Sequence, residues 1–308
     1  MVRSESAPSP GFARPPEGVR GNLGAARRFL MSLVLVDCGV ADLADAQVLS
    51  DAAGWNQTAD VWRTFMVNGK TLGYRTDEGE LVASAAALPY GGAAGWISMV
   101  LVAQPWRHQG LATRLLEMCV AHLKELGAIP HLDATPAGMP AYRKLGFLGG
   151  LRMARWQGRS AAGADAPADA LRRAEHDDLQ WMVALDAAAN GMDRGFLLQD
   201  ILTRAGTRAW AMRDGSGFVL RRQGRRASQI GPLIAADEAS ALLLLQAALM
   251  GPEEPVFLDL PERWQQLARE LAGRGFGIQR PFVRMALGPA PAHQPGDHLF
   301  IVAGPEFG

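Results

Sequence analysis

One segment of the chain combines residue types and spacing that could perform chemistry. An apolar run ending at Val102 leads into the motif R-x-x-G-x-A, formed by Arg107, Gly110 and Ala112, which opens directly into a helical pattern. The first backbone N–H groups of a helix lack internal partners, and the helix dipole adds partial positive charge there. Gly110 has no Cβ to block a close approach, and Arg107 supplies a guanidinium. The spacing therefore predicts a binding site for a pyrophosphate group.

Other phosphate-binding motifs fit the sequence less well. It contains no G-x-x-x-x-G-K-[ST], and Gly91, Gly92 and Gly95 precede a strand with the wrong spacing for a dinucleotide-binding turn. Taken alone, R-x-x-G-x-A is equally compatible with an ordinary junction between a loop and a helix. The elements around the motif therefore decide between the two interpretations.

The elements that must position this motif alternate between strands and helices. Residues 95–102 are typical of a buried strand, and residues 111–126 carry apolar side chains at helical spacing before Gly127, a favourable helix end. The same half is predicted to contain strands at 33–36, 71–76, 81–88, 130–134 and 148–156, and helices at 43–53, from 58 or 60 to 66, and at 140–145.

A similar order of elements recurs in the second half of the chain. Residues 158–170 are rich in Ala, Gly, Ser, Asp and Pro and are predicted to form a linker. Beyond it we predict helices after Asp178 and at 196–205, 238–250 and 263–273, and strands at 209–213, 217–222, 227–234, 255–260 and 276–287. The recurrence indicates duplication followed by divergence.

Composition excludes several classes of protein. A length of 308 residues predicts two domains, and 31 basic against 31 acidic side chains give no positive excess for nucleic acid or an anionic membrane. No apolar stretch approaches the length of a membrane span. Two cysteines are too few for a disulfide framework. The Pro-rich residues 1–31 are predicted to form a disordered leader, with Met31 as an alternative start, and we expect a soluble, cytoplasmic protein.

Two motifs in the first half carry a resemblance to a known family. The R-x-x-G-x-A loop between a strand and an amphipathic helix resembles the acetyl-CoA-binding motif of the GNAT superfamily of N-acetyltransferases. Ala141-Tyr142-Arg143-Lys144-Leu145-Gly146-Phe147 resembles its second motif. Residues 54–62, 132–135, 229–233, 257–261 and 280–285 look like a two-domain group within it, in which a degenerate GNAT-like domain follows a complete one.

The resemblance implies the fold class and the domains. The fold class is α/β (α+β), with tandem GNAT folds that each hold a mixed, mostly antiparallel sheet flanked by helices. The catalytic domain would span residues 32–157, and after the 158–170 linker the degenerate domain would span residues 171–308.

The resemblance also implies an activity and its co-substrate. We expect an acetyl-CoA-dependent N-acetyltransferase that transfers the acetyl group directly to a small-molecule or amino-acid-like primary amine. A longer acyl-CoA or a protein N-terminus as substrate stays open. An acyl-CoA-binding regulator without turnover is the alternative, because residues 96–103 contain no carboxylate. The residues expected to contact CoA are Leu101, Val102, Arg107, His108, Gln109, Gly110, Leu111, Ala112 and Thr113.

The catalytic groups are less well defined than the CoA site. By resemblance, Tyr142 is the candidate acid that protonates the departing thiolate, and a core tyrosine with a hydrogen-bonded hydroxyl stays open as the alternative. Asp133 is our candidate base, but Asp60, a water molecule or no base at all stay open. Asp60 also fits a helix start, and Asp133 a bond to backbone. A main-chain N–H near Val102 is expected to stabilise the oxyanion.

The acceptor site is predicted on segments that flank the cleft in the superfamily. The candidates are Trp55, Gln57, Trp62 and Tyr90, although each taken alone is more simply a residue of the core or its rim. The six histidines are scattered, so no metal is expected, and Cys119 falls on an apolar helix stripe as a buried thiol. A homodimer is a possible assembly.

The second half lacks the features of a CoA site. Ala235-Ala236-Asp237-Glu238 stands where the R-x-x-G-x-A loop stands in the first half, and its two carboxylates suit a helix cap but would repel a pyrophosphate. We therefore expect this domain to complete the acceptor pocket or to act as a structural partner. The basic run Arg221-Arg222-Gln223-Gly224-Arg225-Arg226 is predicted to be a solvated hairpin tip.

Overall fold

A computed structural model describes residues 32–91, 94–161, 169–288 and 296–308. The leader predicted at residues 1–31 and most of the linker predicted at residues 158–170 lie outside the described residues. Two residues of that predicted linker, 158 and 159, belong to a strand.

The first half follows the predicted order of elements. It contains six strands and four α-helices in the described residues. The strands are β1 (Leu33–Asp37), β2 (Lys70–Thr76), β3 (Leu81–Tyr90), β4 (Ala94–Val102), β5 (Ile129–Ala134) and β6 (Leu148–Arg159). The helices are α1 (Leu43–Ala52), α2 (Ala59–Asn68), α3 (Leu111–Glu125) and α4 (Met139–Lys144).

The second half repeats that order and adds two short strands, β7 and β13, that the sequence pattern does not predict. Its strands are β7 (Leu171–Arg173), β8 (Arg208–Met212), β9 (Gly217–Arg222), β10 (Ser228–Ala235), β11 (Pro255–Pro261), β12 (Gly277–Ala286) and β13 (Leu299–Ile301). Its helices are α5 (Leu179–Asn190), α6 (Gly195–Thr203), α7 (Glu238–Leu249) and α8 (Gln265–Gly273). The other predicted elements are confirmed, with ends that differ by a few residues.

The two halves share one continuous sheet. Its strand order is β1-β2-β3-β4-β5-β12-β6-β11-β10-β9-β8-β7, and β13 pairs with β10. Only β4–β5 and β10–β11 are parallel among the described pairs, so the predicted mixed, mostly antiparallel sheet is confirmed. The halves also exchange strands, because β12 lies between β5 and β6. A site at this junction can therefore receive side chains from both halves.

The hairpin between β9 and β10 forms a second connection between the halves, and the prediction of a solvated tip is wrong for its first two arginines. Arg221 and Arg222 are buried and pair with Glu254 and Glu306. At the tip itself, Arg225 pairs with Asp51 of the first half at 2.7 Å. Asn56 Oδ1 accepts hydrogen bonds from the backbone N–H groups of residues 226 and 227. Arg225 and the backbone of the hairpin tip therefore join the two halves.

Helix α3, which follows the R-x-x-G-x-A motif, is held against the sheet by one apolar face. Its buried side chains Leu111, Leu115, Leu116, Cys119 and Leu123 form one apolar face, which belongs to the core cluster that contains residues of β3 and β4. Cys119 is a free thiol, and burial raises its pKa to about 12, as expected for a structural cysteine.

Among the described residues, no helix has both the length and the apolar character to cross a bilayer.

Candidate active site

The sheet opens between β4 and β5. The two strands pair in parallel only from Ala94 to Trp96, opposite Ile129 to His131. Beyond this point β5 continues along β12, while β4 continues along β3 to Val102. Backbone groups on the β5 side of residues 97–102 therefore face an opening rather than a partner strand. We call this gap the β4–β5 opening.

A bulge in β4 bends the strand at the opening. Met99 has a φ of +54°, a left-handed conformation that is rare for a residue other than glycine. The pairing of β3 with β4 shifts register between Ser84 and Ala86, opposite this bulge. The Ser84 hydroxyl donates to the Met99 carbonyl at 2.8 Å and satisfies the displaced group. Bulges of this kind redirect backbone groups next to functional sites.

The predicted pyrophosphate loop lies between β4 and α3. The Arg107 Nε donates to the Val102 carbonyl at 3.1 Å, which fixes the loop against the end of β4. His108 and Gly110 have φ values of +63° and +79°, so the chain turns sharply before the helix. A Cβ on Gly110 would meet no atom within 4 Å, which leaves the cradle open. The first turn of α3 contains no acidic residue that would compete for its amides.

A cavity of about 660 Å³ extends from this loop to the second half of the chain. It brings together most of the predicted site residues: Trp55, Gln57, Leu101, Val102, Arg107, His108, Gly110, Leu111, Ala112, Thr113, Asp133 and Tyr142. Gln109, Trp62 and Tyr90 do not line it. The second half contributes Arg280, Phe282, Pro305 and Glu306.

Tyr142 reaches the cavity from α4. Its ring packs edge-on against Phe147 with centroids 6.1 Å apart, and Gly138 lies against its ring where a Cβ would come within 2.9 Å. No group in the described part of the chain hydrogen-bonds the Tyr142 hydroxyl. Burial raises the pKa of Tyr142, so the hydroxyl keeps its proton near neutral pH. The side chain can therefore act as a proton donor in the cavity.

Neither predicted carboxylate is well placed as a base. Asp133 is fully buried, and both its oxygens accept hydrogen bonds from Arg284 at 3.0 Å. Burial raises the pKa of Asp133 and the Arg284 charge opposes that effect. Asp60 does not line the cavity and instead pairs with Arg63 at 2.7 Å in the first turn of α2. The structure thus gives Asp133 a clamping role between β5 and β12 and Asp60 a role at a helix start.

Trp62 and Tyr90 belong to the core rather than to the acceptor site predicted for them. The Trp62 side chain is buried and donates to Ser50 Oγ at 3.2 Å. The Tyr90 hydroxyl donates to the carbonyl of Phe307 at 2.9 Å. Both residues are aromatic on elements near the cleft, but their side chains point into the apolar interior. Trp55 and Gln57, by contrast, line the cavity as expected.

The C-terminal residues 303–308 form part of the site, and no sequence motif announces them. Trp96 Nε1 donates to the Pro305 carbonyl at 3.0 Å, and the ring of Phe307 stacks on Phe65 at 5.4 Å. Between these anchors Glu306 receives a hydrogen bond from Arg222 at 2.9 Å on one oxygen and from Gln57 at 3.2 Å on the other. This buried carboxylate lines the cavity.

Arg280 and Phe282 also line the cavity without a predicted role. Both lie in the 280–285 segment that carries part of the family resemblance. The sequence therefore marks the segment but does not predict that it lines the cavity. No group of three or more His, Cys, Asp or Glu side chains among the described residues is arranged to hold a metal ion.

Comparison with known families identifies both halves. The model for the acetyltransferase (GNAT) family matches residues 46–147, and a model for an acetyltransferase (GNAT) domain matches residues 182–301. The chain belongs to the GNAT family. A relative in Bacillus subtilis (strain 168), the uncharacterized N-acetyltransferase YitH, is 27% identical over 233 residues, which cover 74% of this chain and 82% of the relative. This GNAT protein thus contains two GNAT domains in tandem and belongs to a family of N-acetyltransferases.

Solved structures share this tandem fold. A putative acetyltransferase from Pyrococcus horikoshii has a TM-score of 0.73 at 18% identity and covers 90% of this chain and 96% of its own. A tandem GNAT protein from the clavulanic acid biosynthesis pathway has a TM-score of 0.61 at 13% identity and covers 84% of this chain and 100% of its own. The likeness extends across both halves of the GNAT protein and concerns the fold.

Proposed function

We propose that this GNAT protein transfers the acetyl group of acetyl-CoA directly to a primary amine of a small or amino-acid-like molecule. The observation that carries the proposal is the β4–β5 opening, which leads from an uncapped helix N-terminus to the Tyr142 hydroxyl. A thioester donor and an amine acceptor could meet in the one cavity that both features share.

The residues at the opening suit the donor in three ways. Free backbone groups on β4 match the amides of a pantetheine arm, which would lie along the strand as a partner strand does. The amides of Leu111, Ala112 and Thr113, together with Arg107, match the diphosphate. Gly110 leaves the approach open, because even a Cβ would touch nothing within 4 Å. When bound, acetyl-CoA supplies the thioester carbonyl that is attacked.

The reaction needs a proton to leave the amine and a proton to reach the departing sulfur. The amine nitrogen attacks the thioester carbonyl, the C–N bond forms and the C–S bond breaks. Tyr142 donates its proton to the thiolate, and Glu306 accepts the proton that the amine loses. Glu306 suits the second role better than Asp133 does, because one of its oxygens faces the neutral Gln57 amide rather than a cation.

The two domains would divide the work. The domain predicted at residues 32–157 would hold the CoA site, and the domain at residues 171–308 would close the acceptor end through Arg280, Phe282 and Glu306, which line the cavity. The two free, buried thiols, Cys38 and Cys119, support a reducing location such as the cytoplasm.

A screen of primary amines with acetyl-CoA, read by release of free thiol, tests the proposal. Glu306→Gln is expected to lower kcat by about 10²-fold or more, with acetyl-CoA affinity unchanged. Glu262→Gln, which removes an exposed carboxylate paired with Arg152, is the matched control. Acetyl-CoA binding without thiol release across the screen would instead support an acyl-CoA-binding regulator.

A further inference from the structure

Two arginines face each other across the exchanged strands at the acceptor end of the cavity. Arg280 of β12 is the direct cross-strand partner of Arg155 of β6, so their side chains lie on the same face of the sheet. Both line the cavity, and both guanidinium groups pack near the ring of Phe282, at 5.1 and 5.7 Å from its centroid. Like charges directly opposite each other destabilise a sheet. A second cation placed beside Arg155 therefore costs stability unless it has an anion of its own.

Three other arginines at this junction each have a carboxylate of their own. Arg155 makes two hydrogen bonds to Asp259, at 2.9 and 2.8 Å. The remaining pairs are Arg284 with Asp133 and Arg222 with Glu306. Within these three pairs the charges cancel.

Arg280 is the exception in this group. No carboxylate in the described part of the chain pairs with it, and its buried Nε has no hydrogen-bond partner there. Burial and the charge of Arg155 both lower the pKa of Arg280 below its ordinary value, and the more distant carboxylates of Asp259 and Glu306 offset this only in part. A buried donor without a partner is costly, so such a group in a cavity points to a ligand.

We infer that Arg280 binds a carboxylate of the acceptor, so that the substrate is a molecule bearing both a primary amine and a carboxylate. The planar guanidinium matches a carboxylate with two parallel hydrogen bonds. One uncompensated positive charge also balances one carboxylate, whereas a phosphate monoester brings nearly two negative charges. The inference rests on the proposed function and specifies its substrate class.

Matched pairs of acceptors test this inference directly. Each pair consists of an amino acid and its carboxamide, which share the amine and differ only in the charge. We expect kcat/KM for the acid to exceed that for the amide by about 10- to 100-fold, the range that a charge-assisted hydrogen bond provides. Calorimetric titration of the CoA-loaded protein with the N-acetylated acid and amide measures the same preference without turnover.

Variants of Arg280 then test whether this residue causes the preference for the acid over the amide. Arg280→Gln should remove the preference and leave acetyl-CoA affinity unchanged, and Arg280→Lys should restore part of it. Arg152→Gln, an exposed arginine on β6, is the matched control and should keep the wild-type preference.

Four results would overturn the inference. Equal use and equal binding of acid and amide by the wild-type protein would exclude carboxylate recognition, whether or not the variants fold. An unchanged preference in a folded Arg280→Gln variant would exclude this residue, and a loss of acetyl-CoA affinity there would assign it to the donor instead. Failure of the wild-type protein to bind acetyl-CoA at all would refute the proposed function itself, and the inference with it.

Discussion

The two halves of the molecule build the same gap in the sheet and treat it in opposite ways. In the first half, β4 and β5 pair over three residues, 94–96 with 129–131, and then separate. In the second half, β10 and β11 pair over three residues, 228–230 with 256–258, and separate likewise. The first gap is the open cavity. The second is filled by β13, which pairs with β10 in antiparallel fashion, while Val302 N donates to the Asp259 carbonyl.

The helices that follow the two gaps also differ: the start of one is open and the start of the other is capped. Helix α3 begins at Gly110 with no acidic side chain in its first turn. Helix α7 begins at Asp237, whose side chain accepts a hydrogen bond from the Ser240 N–H at 2.8 Å, and Glu238 adds a second negative charge. The first-turn amides of α3 are open to a ligand, whereas one of those of α7 already donates to a side chain of the same chain. A duplicated scaffold therefore keeps one ligand site, and the second copy uses the same geometry for its own stability.

The tyrosine position extends the comparison to the catalytic groups. The backbone N–H of Phe147 donates to the Tyr142 carbonyl at 3.1 Å, and that of Phe276 donates to the Leu271 carbonyl at 3.0 Å. The two turns are equivalent, but Leu271 is a fully buried apolar side chain without a proton to give. The second half thus lacks the acid as well as the opening.

Giving Tyr142 the side chain of its counterpart should produce the largest effect. Tyr142→Leu and the milder Tyr142→Phe remove the proton donor and are expected to lower kcat by about 10²- to 10⁴-fold, while the Kd of acetyl-CoA stays within about threefold. Thiol release under saturating acetyl-CoA measures the rate. Tyr74→Phe, which removes a hydroxyl from β2 outside the cavity, is the matched control, and a full rate in Tyr142→Phe would refute the acid role.

Emptying the second gap should destabilise the protein without creating a second site. Phe300 is fully buried and stacks on Trp264 with centroids 4.1 Å apart. Phe300→Ala is expected to lower the free energy of unfolding by about 3–5 kcal/mol through lost packing and the cavity it leaves. Denaturant unfolding measures this, with the exposed Ile278→Ala as control. Titration calorimetry should still find one acetyl-CoA per chain. A stoichiometry of two would contradict the conclusion that only the first gap is a ligand site.

Placing a carboxylate at the first helix start should make it resemble the second. Gly110→Glu puts a negative charge beside the open amides at a φ of +79°, and we expect acetyl-CoA affinity to fall by about 10- to 100-fold. Gly127→Glu is the control, because Gly127 has a φ of +74° and equally open surroundings at the far end of α3. Equal affinity in the two folded variants would show that the diphosphate lies elsewhere.

The sequence predicts what is local and misses what is distant. The strand, loop and helix around Gly110 follow from periodicity and from one glycine, because all their determinants lie within about 30 residues. Strand exchange and the C-terminal contribution depend on partners far along the chain, as in the hydrogen bond between Tyr90 and Phe307, which are 217 residues apart. An aromatic side chain near a cleft does not reveal which way it points. For that reason the sequence does not distinguish Trp55, which lines the cavity, from Tyr90, which lies in the core.

The smallest expected effect concerns the cap of α7 and its dependence on pH. The Ser240 backbone N–H, which donates to Asp237, holds the pKa of that carboxyl below its ordinary value. A lowered folded-state pKa contributes stability above the unfolded-state value and loses it as the pH falls. Wild-type stability should therefore decline slightly more than that of Asp237→Asn between about pH 5 and about pH 3 in chemical unfolding. Helix α3 has no such acid, so an equal decline in both proteins would remove this difference between the two helix starts.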